Sequence, residues 1–285
     1  MMQPSLIIGG SGGGGRPTFA RKVPLFVPPG PGDETVQPFM DVTESLVTSK
    51  EALLTGLQLA NPFPINKDAI VVERLLIGPG GGGGIPTGDP EERIYGGLPG
   101  MVYHDEIRFS DIPAGEIRLF VGVGGFGGDE FASATEWSDS AGYITVDGGL
   151  SVRADALLYH LARWRLHGHD LQPHVLLGTY IGAPEQVSNR NGPGMGGCIW
   201  EQGGISMYEY PRLSRPGGSY AQPGEDALPG VFRSMGGGGA GGDDSGTDIG
   251  GNGGSPGGGG GAGYAPGNGA DGAIRLMFSQ LEGFQ

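Results

Sequence analysis

The 285 residues contain a single cysteine, Cys198. No intrachain disulfide is available, so the fold is not a disulfide scaffold, and Cys198 reads as a small buried hydrophobe. Basic residues are also scarce: 17 Lys and Arg against 31 Asp and Glu leave a formal charge of −14. Such a chain has no face for displacing counterions from nucleic-acid phosphates, and an anionic membrane surface repels it. No apolar run approaches the ~20 residues of a membrane-spanning helix. The opening Met1-Met2-Gln3-Pro4-Ser5-Leu6-Ile7-Ile8 has no cationic stretch and only a three-residue apolar run before Gly9. No secretory leader is expected, and the chain should be soluble and made in the cytoplasm. Phosphate-cradling G-x-x-x-x-G-K-[ST], H-E-x-x-H and C-x-x-C motifs are missing. The acidic pairs Asp129-Glu130 and Asp243-Asp244 lie on predicted loops and read as solvated surface.

Glycine is what the chain has instead: 62 residues, which with 23 prolines makes 85 of 285, about 30%. That fraction marks low-complexity sequence. Yet 37% of residues are hydrophobic and 8% aromatic, with Trp137, Trp164 and Trp200 spread through the middle. The apolar material suffices for one modest core, and a single enzyme core filling the whole chain is excluded because glycine has no side chain to bury. The expected fold is mainly β: a small antiparallel β core, a glycine-rich bundle of polyglycine-II-type helices, and one short α-helix.

Three regions follow from the pattern. Residues 1–66 form an extended N-terminal attachment segment, with a glycine tract at 9–15 and prolines 24, 28, 29, 31 and 38 that fix φ and remove donors. Within it, residues 43–60 read either as a short helix capped by Ser49, with Glu51 in the first turn, or as a strand pair. Residues 67–180 form the β core. Its strands are predicted at 69–77, 101–109, 116–123 and 142–149, where β-branched and apolar residues run up to Gly and Pro breakers. A helix is predicted over 153–166, with Leu157, Leu158, Leu161 and Trp164 at helical spacing. His160, His167, His169 and His174 cluster at its end. Histidine is the commonest metal ligand, which makes His167 and His169, with Asp170, the only candidate ligands. The reading preferred is a polar helix end meeting solvent, so no metal, cofactor or catalytic residue is expected.

Residues 181–285 form a glycine-rich region closed by a strand at 271–278. Between 236 and 272 glycine fills 20 of 37 positions. Gly251, Gly254, Gly257, Gly260, Gly263, Gly269 and Gly272 share one three-residue phase, broken only by Pro266. Period three with Gly on the repeating edge suits left-handed extended helices packed through their glycine faces. Collagen would need Pro at the other two positions, which hold Gly, Asn, Asp, Ala and Ser. Polyglycine II is the alternative, and it needs neighbouring helices, since a lone glycine strand loses too much entropy on ordering. The tracts at 9–15, 78–84 and 124–128 are available as neighbours. A flexible linker is the competing reading. The terminal hydrophobic strand speaks for the bundle. Asn252, Ser255, Tyr264 and Asn268 fall off the packing phase and become candidates to face a receptor. On this reading Gly257→Val breaks the region, whereas Asn268→Ser is tolerated.

Four stretches together resemble a family. They are Val71-Val72-Glu73-Arg74-Leu75-Leu76-Ile77 running into Gly78-Pro79 and the glycines at 80–84, and Ile112-Pro113 feeding Ile117-Arg118-Leu119-Phe120-Val121-Gly122-Val123. The others are the Gly-Gly-X-Gly-Gly tracts between 236 and 263 and the closing Gly269-Ala270-Asp271-Gly272-Ala273-Ile274-Arg275-Leu276. The chain resembles the glycine-rich minor tail proteins of actinobacterial, siphovirus-like phages, within the wider class of glycine-rich phage adhesins. The similarity covers about 67–150 and 236–278; the histidine-rich stretch departs from it as an insertion. What the resemblance implies is a non-enzymatic virion component at the tail tip or in a fibre. It would be oligomeric, with a trimer as one assembly, partnered by other tail proteins and by a host-surface glycan or protein. A tail-associated cell-wall-degrading enzyme and a bacterial glycine-rich surface protein are the alternatives.

Overall fold

The computed structural model describes residues 21–28, 35–85, 93–94, 96–128, 132–149, 164–167, 175–177, 199–202, 205–206, 223–239 and 249–282. Strands β1 (Arg21–Leu25), β2 (Met40–Val42) and β3 (Leu46–Ser49) precede helix α1 (Lys50–Ala60). Next come β4 (Ile70–Ile77), β5 (Arg93–Ile94), β6 (Val102–Arg108), β7 (Glu116–Phe120), β8 (Thr135–Asp139) and β9 (Gly142–Val146). Short strands β10 (Trp164–His167), β11 (Val175–Leu177), β12 (Ile199–Gln202) and β13 (Ile205–Ser206) lead to β14 (Ala273–Glu282). The protein is mainly β with antiparallel sheets, and α1 is the one α-helix among the described residues.

Of the two readings of 43–60 the helix capped by Ser49 is the one observed, and the strand pair is not, since Leu53, Leu57 and Leu59 all lie in α1. β3 ends at Ser49, whose Oγ then accepts from Ala52 N–H (3.1 Å) and starts α1. The helix predicted over 153–166 is corrected at its end. Trp164-Arg165-Leu166-His167 alternates apolar and basic residues, a period of two, and the edge of β9 supplies the ladder that pairs Trp164 with Val146 and His167 with Tyr143. Residues 153–163 lie outside those described. Within the stretch 1–66, read as an extended attachment segment, three described strands join the sheets: β1 and β2 pair with successive halves of β14, and β3 pairs with β7. Pro24 sits in β1 at the sheet's edge, where no outward donor is needed.

Two antiparallel sheets face each other. The first runs β1-β14-β4-β6-β11, and the second runs β10-β9-β8-β7-β3. Between them pack Val72, Leu76, Tyr103, Ile274 and Phe278 from one side and Ile117, Leu119, Trp137, Ile144 and Val146 from the other, with Leu53 and Leu57 of α1. Asn61 ties the end of α1 to the exit of β1: its side-chain amide donates to Leu57 O and Phe26 O, and its Oδ1 accepts from Phe26 N–H.

One charge pair lies inside this core. Arg74 of β4 and Asp105 of β6 are register partners, joined by two bonds of 2.9 and 2.6 Å. Tyr103 Oη donates to the same carboxylate at 2.9 Å, and the Arg74 guanidinium lies 4.9 Å from the centroid of the Trp137 ring. Burial, and then the Asp105 charge, push the Tyr103 hydroxyl above the ordinary phenol range. The cation is therefore desolvated but neutralised and stacked.

A strap at 228–235 covers the other face of the first sheet. Phe232 and Met235 bury against Phe39, Leu75, Ile77 and Val102. Arg275 of β14 donates to the carbonyls of Phe232 and Ser234 and stacks over Phe39. Beside it, Glu73 takes bonds from Arg233 (2.7 Å) and His104 (2.6 Å), while its register partner Glu106 pairs with Lys22.

Two outcomes are expected. Asp105→Ala leaves a buried guanidinium unpaired and should lower unfolding stability by about 3–5 kcal/mol, whereas Tyr103→Phe should cost about 1 kcal/mol; denaturant titration measures both. Burial raises the Glu73 carboxyl, but the His104 and Arg233 bonds outweigh it and hold the group at about 2 against an ordinary 4.5. A depressed folded-state value contributes stability that is complete above 4.5 and is lost as pH falls towards about 2. Glu73→Gln should therefore flatten the acid limb of a stability–pH curve in that window.

Candidate functional site

Strands of both sheets continue directly into glycine. β4 runs into residues 78–84, β7 into 121–128 and β9 into 147–149, while 96–101 lead into β6 and 267–272 into β14. Side chains keep two stacked sheets ~10 Å apart. Where the side chains stop, the backbones close together and hydrogen bonds cross between the layers. Met101 N–H donates to Asp147 O (3.2 Å), Gly149 N–H to Pro79 O (2.8 Å) and Gly272 N–H to Gly122 O (2.9 Å). Thr135 stitches the junction, its Oγ1 donating to Ile77 O and accepting from Gly122 N–H.

Segment 78–84 is enclosed. Gly80 and Gly83 donate to Ala270 and Gly267, and Gly78 and Gly81 to Met101 and Leu98. In return the carbonyls of Gly80 and Gly83 accept from Gly125 and Gly128, and those of Gly81 and Gly84 from Gly260 and Gly263. Every pair of partners advances by three residues, over distances of 2.7 to 3.1 Å. Segment 257–263 is enclosed in the same way by 78–84, 97–100, 251–254, 267–271 and 239. All of these neighbours come from the one chain.

The seven glycines of the repeating phase are placed as follows. A Cβ on Gly254 would collide with Glu225 O, on Gly260 with Gly267 O, on Gly269 with Gly80 O, and on Gly272 with Ile77 O. Gly257 has φ +83, a left-handed backbone that disfavours any side chain. Gly251 accepts from Gly261 N–H, and Gly263 donates to Gly84 O. A single phase underestimates the packing, for a Cβ on Gly253, Gly258 or Gly267 would also strike backbone. A segment enclosed on all sides needs glycine on each of its three faces; that count cannot be read from one period.

Asn252, Ser255, Tyr264 and Asn268 are exposed. Three of these four positions also take part in side-chain-to-backbone bonds. Asn252 Oδ1 accepts from Asn268 N–H (2.9 Å), Asn268 Oδ1 from Gly127 N–H (2.9 Å), and Asp226 Oδ1 from Ser255 N–H (2.8 Å). Asp271 Oδ1 likewise caps Gly124 N–H (2.8 Å). On the outside of these hydrogen-bonded glycine segments, together called the bundle, side-chain oxygens thus replace the carbonyl of a missing neighbour. The expected tolerance of Asn268→Ser is corrected on this ground, because serine is too short to reach Gly127.

The chain matches no protein-family model and no curated protein.

The end of the bundle remote from the sheets gathers features that, Tyr264 apart, the sequence did not point to. A Cβ on Gly127 would abut Pro266 and one on Gly128 would abut Ile85, while Ile249 bridges Ala265. Ile85, Phe126, Ile249 and Tyr264 therefore share one tip, at 49, 62, 55 and 57% exposure. They stand apart in sequence, so only the packing brings them together. Of the histidine candidates, His167 lies in β10 and His169 outside the described residues. Among the described residues no group of three or more His, Cys, Asp or Glu is placed to hold a metal.

Gly260→Val and Gly257→Val are expected to make the bundle sensitive to limited proteolysis. Asn268→Ser should lower stability by about 1 kcal/mol, the worth of one hydrogen bond, and Tyr264→Ser should leave both measurements at the parent's values.

Proposed function

We propose that this chain is a structural component of a phage tail tip or fibre that contributes to attachment at a host surface. On this reading its glycine segments are polyglycine-II-type helices, and the bundle is a rigid mount for the tip. The observation that carries the reading is the exposed apolar tip of Ile85, Phe126, Ile249 and Tyr264, held by segments whose backbones are locked to one another. A recognition surface gains affinity when its anchors are pre-ordered, and aromatic anchors give much contact for few rotatable bonds. The three-residue hydrogen-bond step and the glycine-only approaches support the helix type. The chain would work in the virion, beside other tail proteins and further copies of itself, with a host-surface glycan or protein at the tip.

Antibody to the chain should label the tail end of intact particles in electron micrographs. Particles carrying Phe126→Ala with Tyr264→Ala should assemble normally and adsorb to host cells about tenfold or more slowly, as expected for loss of central aromatic anchors. Parental adsorption by that variant, or turnover of purified cell-wall polymer by the isolated chain, would overturn the proposal.

A further inference from the structure

Both asparagines that cap amides of the bundle are followed by glycine: Asn252-Gly253 and Asn268-Gly269. An Asn-Gly step is chemically reactive, because glycine presents its amide nitrogen with no Cβ in the way. The nitrogen attacks the asparagine Cγ, an N–C bond forms, and the side-chain nitrogen leaves as ammonia. Water then opens the resulting succinimide at either carbonyl, giving aspartate or isoaspartate.

In the packed bundle this attack is blocked at both partners. Gly253 N–H is committed to Asn268 O and Gly269 N–H to Gly125 O, each at 2.8 Å. Asn252 Oδ1 is held by Asn268 N–H and Asn268 Oδ1 by Gly127 N–H, each at 2.9 Å. Ring closure also requires the backbone to swing, and there is no room: a single added Cβ at Gly253 would collide with Gly258 O, and one at Gly269 with Gly80 O. The two sites are joined, since Asn268 gives its N–H to the Asn252 side chain and its carbonyl to Gly253. Freeing one loosens the other.

We propose that Asn252 and Asn268 are a linked pair of modification sites gated by the bundle. They are inert while the segments are packed and convert to aspartate or isoaspartate once the segments part. Conversion also makes the opening one-way. Isoaspartate routes the backbone through its Cγ, which inserts a carbon and throws the following residues out of the three-residue register. Either product adds a negative charge to a chain already at −14.

The test follows both sites by peptide mapping of the full chain, held in mildly alkaline buffer with and without denaturant. The folded chain should convert at least about tenfold more slowly at both sites, as opening-limited reactions do. Gly260→Val, which wedges the bundle open, should speed both sites in native buffer. Chain converted in denaturant and then returned to buffer should stay protease-sensitive, whereas chain held in denaturant under mildly acidic conditions, where the asparagines survive, should recover. Equal rates with and without denaturant would overturn the gating, and full recovery by converted chain would overturn the one-way step.

Discussion

Two β-sheets that face each other cannot exchange backbone hydrogen bonds, because the side chains between them hold the ladders too far apart. The whole architecture turns on where that spacing ends. At Gly78, Gly122, Gly148 and Gly272 no added Cβ has room, and across this boundary amides of one layer meet carbonyls of the other. On the sheet side, stability comes from apolar burial around Trp137, Phe278 and Leu76. On the bundle side it comes from paired backbone groups that side chains would have kept apart.

This division explains how so much glycine can be ordered. Glycine loses more freedom on folding than any other residue, and one hydrogen bond returns only about 1 kcal/mol. An isolated glycine segment therefore stays disordered. Here 78–84, 121–128, 147–149 and 267–272 adjoin strands that the sandwich has already fixed in position and direction, so their residues nearest the sheets enter the bundle half-ordered. Enclosure completes the ordering, since 78–84 and 257–263 each have neighbours on several sides. The strap at 228–235 adds an anchor, with Arg275 gripping its carbonyls and Phe232 plugging the sheet face.

Much of this was legible in the sequence. The strands at 70–77, 102–108, 116–120 and 142–146 and the closing strand all announced themselves through β-branched, aromatic and other apolar residues, with Gly or Pro close to one end. β8 did not, since Thr135-Glu136-Trp137-Ser138-Asp139 is polar at four of its five places and declares its buried face only through Trp137. β1 to β3 were hidden because their identity as strands rests on partners far along the chain, β14 and β7. The helical reading of 164–166 lost to an available sheet edge, a tertiary fact that no local window contains. Asn252 and Asn268 were visible as outward positions, but their second use, as stand-ins for a carbonyl, depends on which segment lies alongside. Of the tip only Tyr264 stood out beforehand, because four positions far apart in the chain have no shared signal until packing places them side by side.

The uninterrupted passage from strand to glycine segment has a mechanical consequence. A pull applied at the tip along the segments reaches the sandwich through several covalent chains at once, with no hinge at the boundary. Along those chains the interlocking hydrogen bonds lie across the load and are sheared together; they cannot be peeled open one at a time. Force on the far end is thus shared among the strands of both sheets, and the weakest element in that line is the backbone bonding of the bundle itself, where its many parallel bonds must fail in concert.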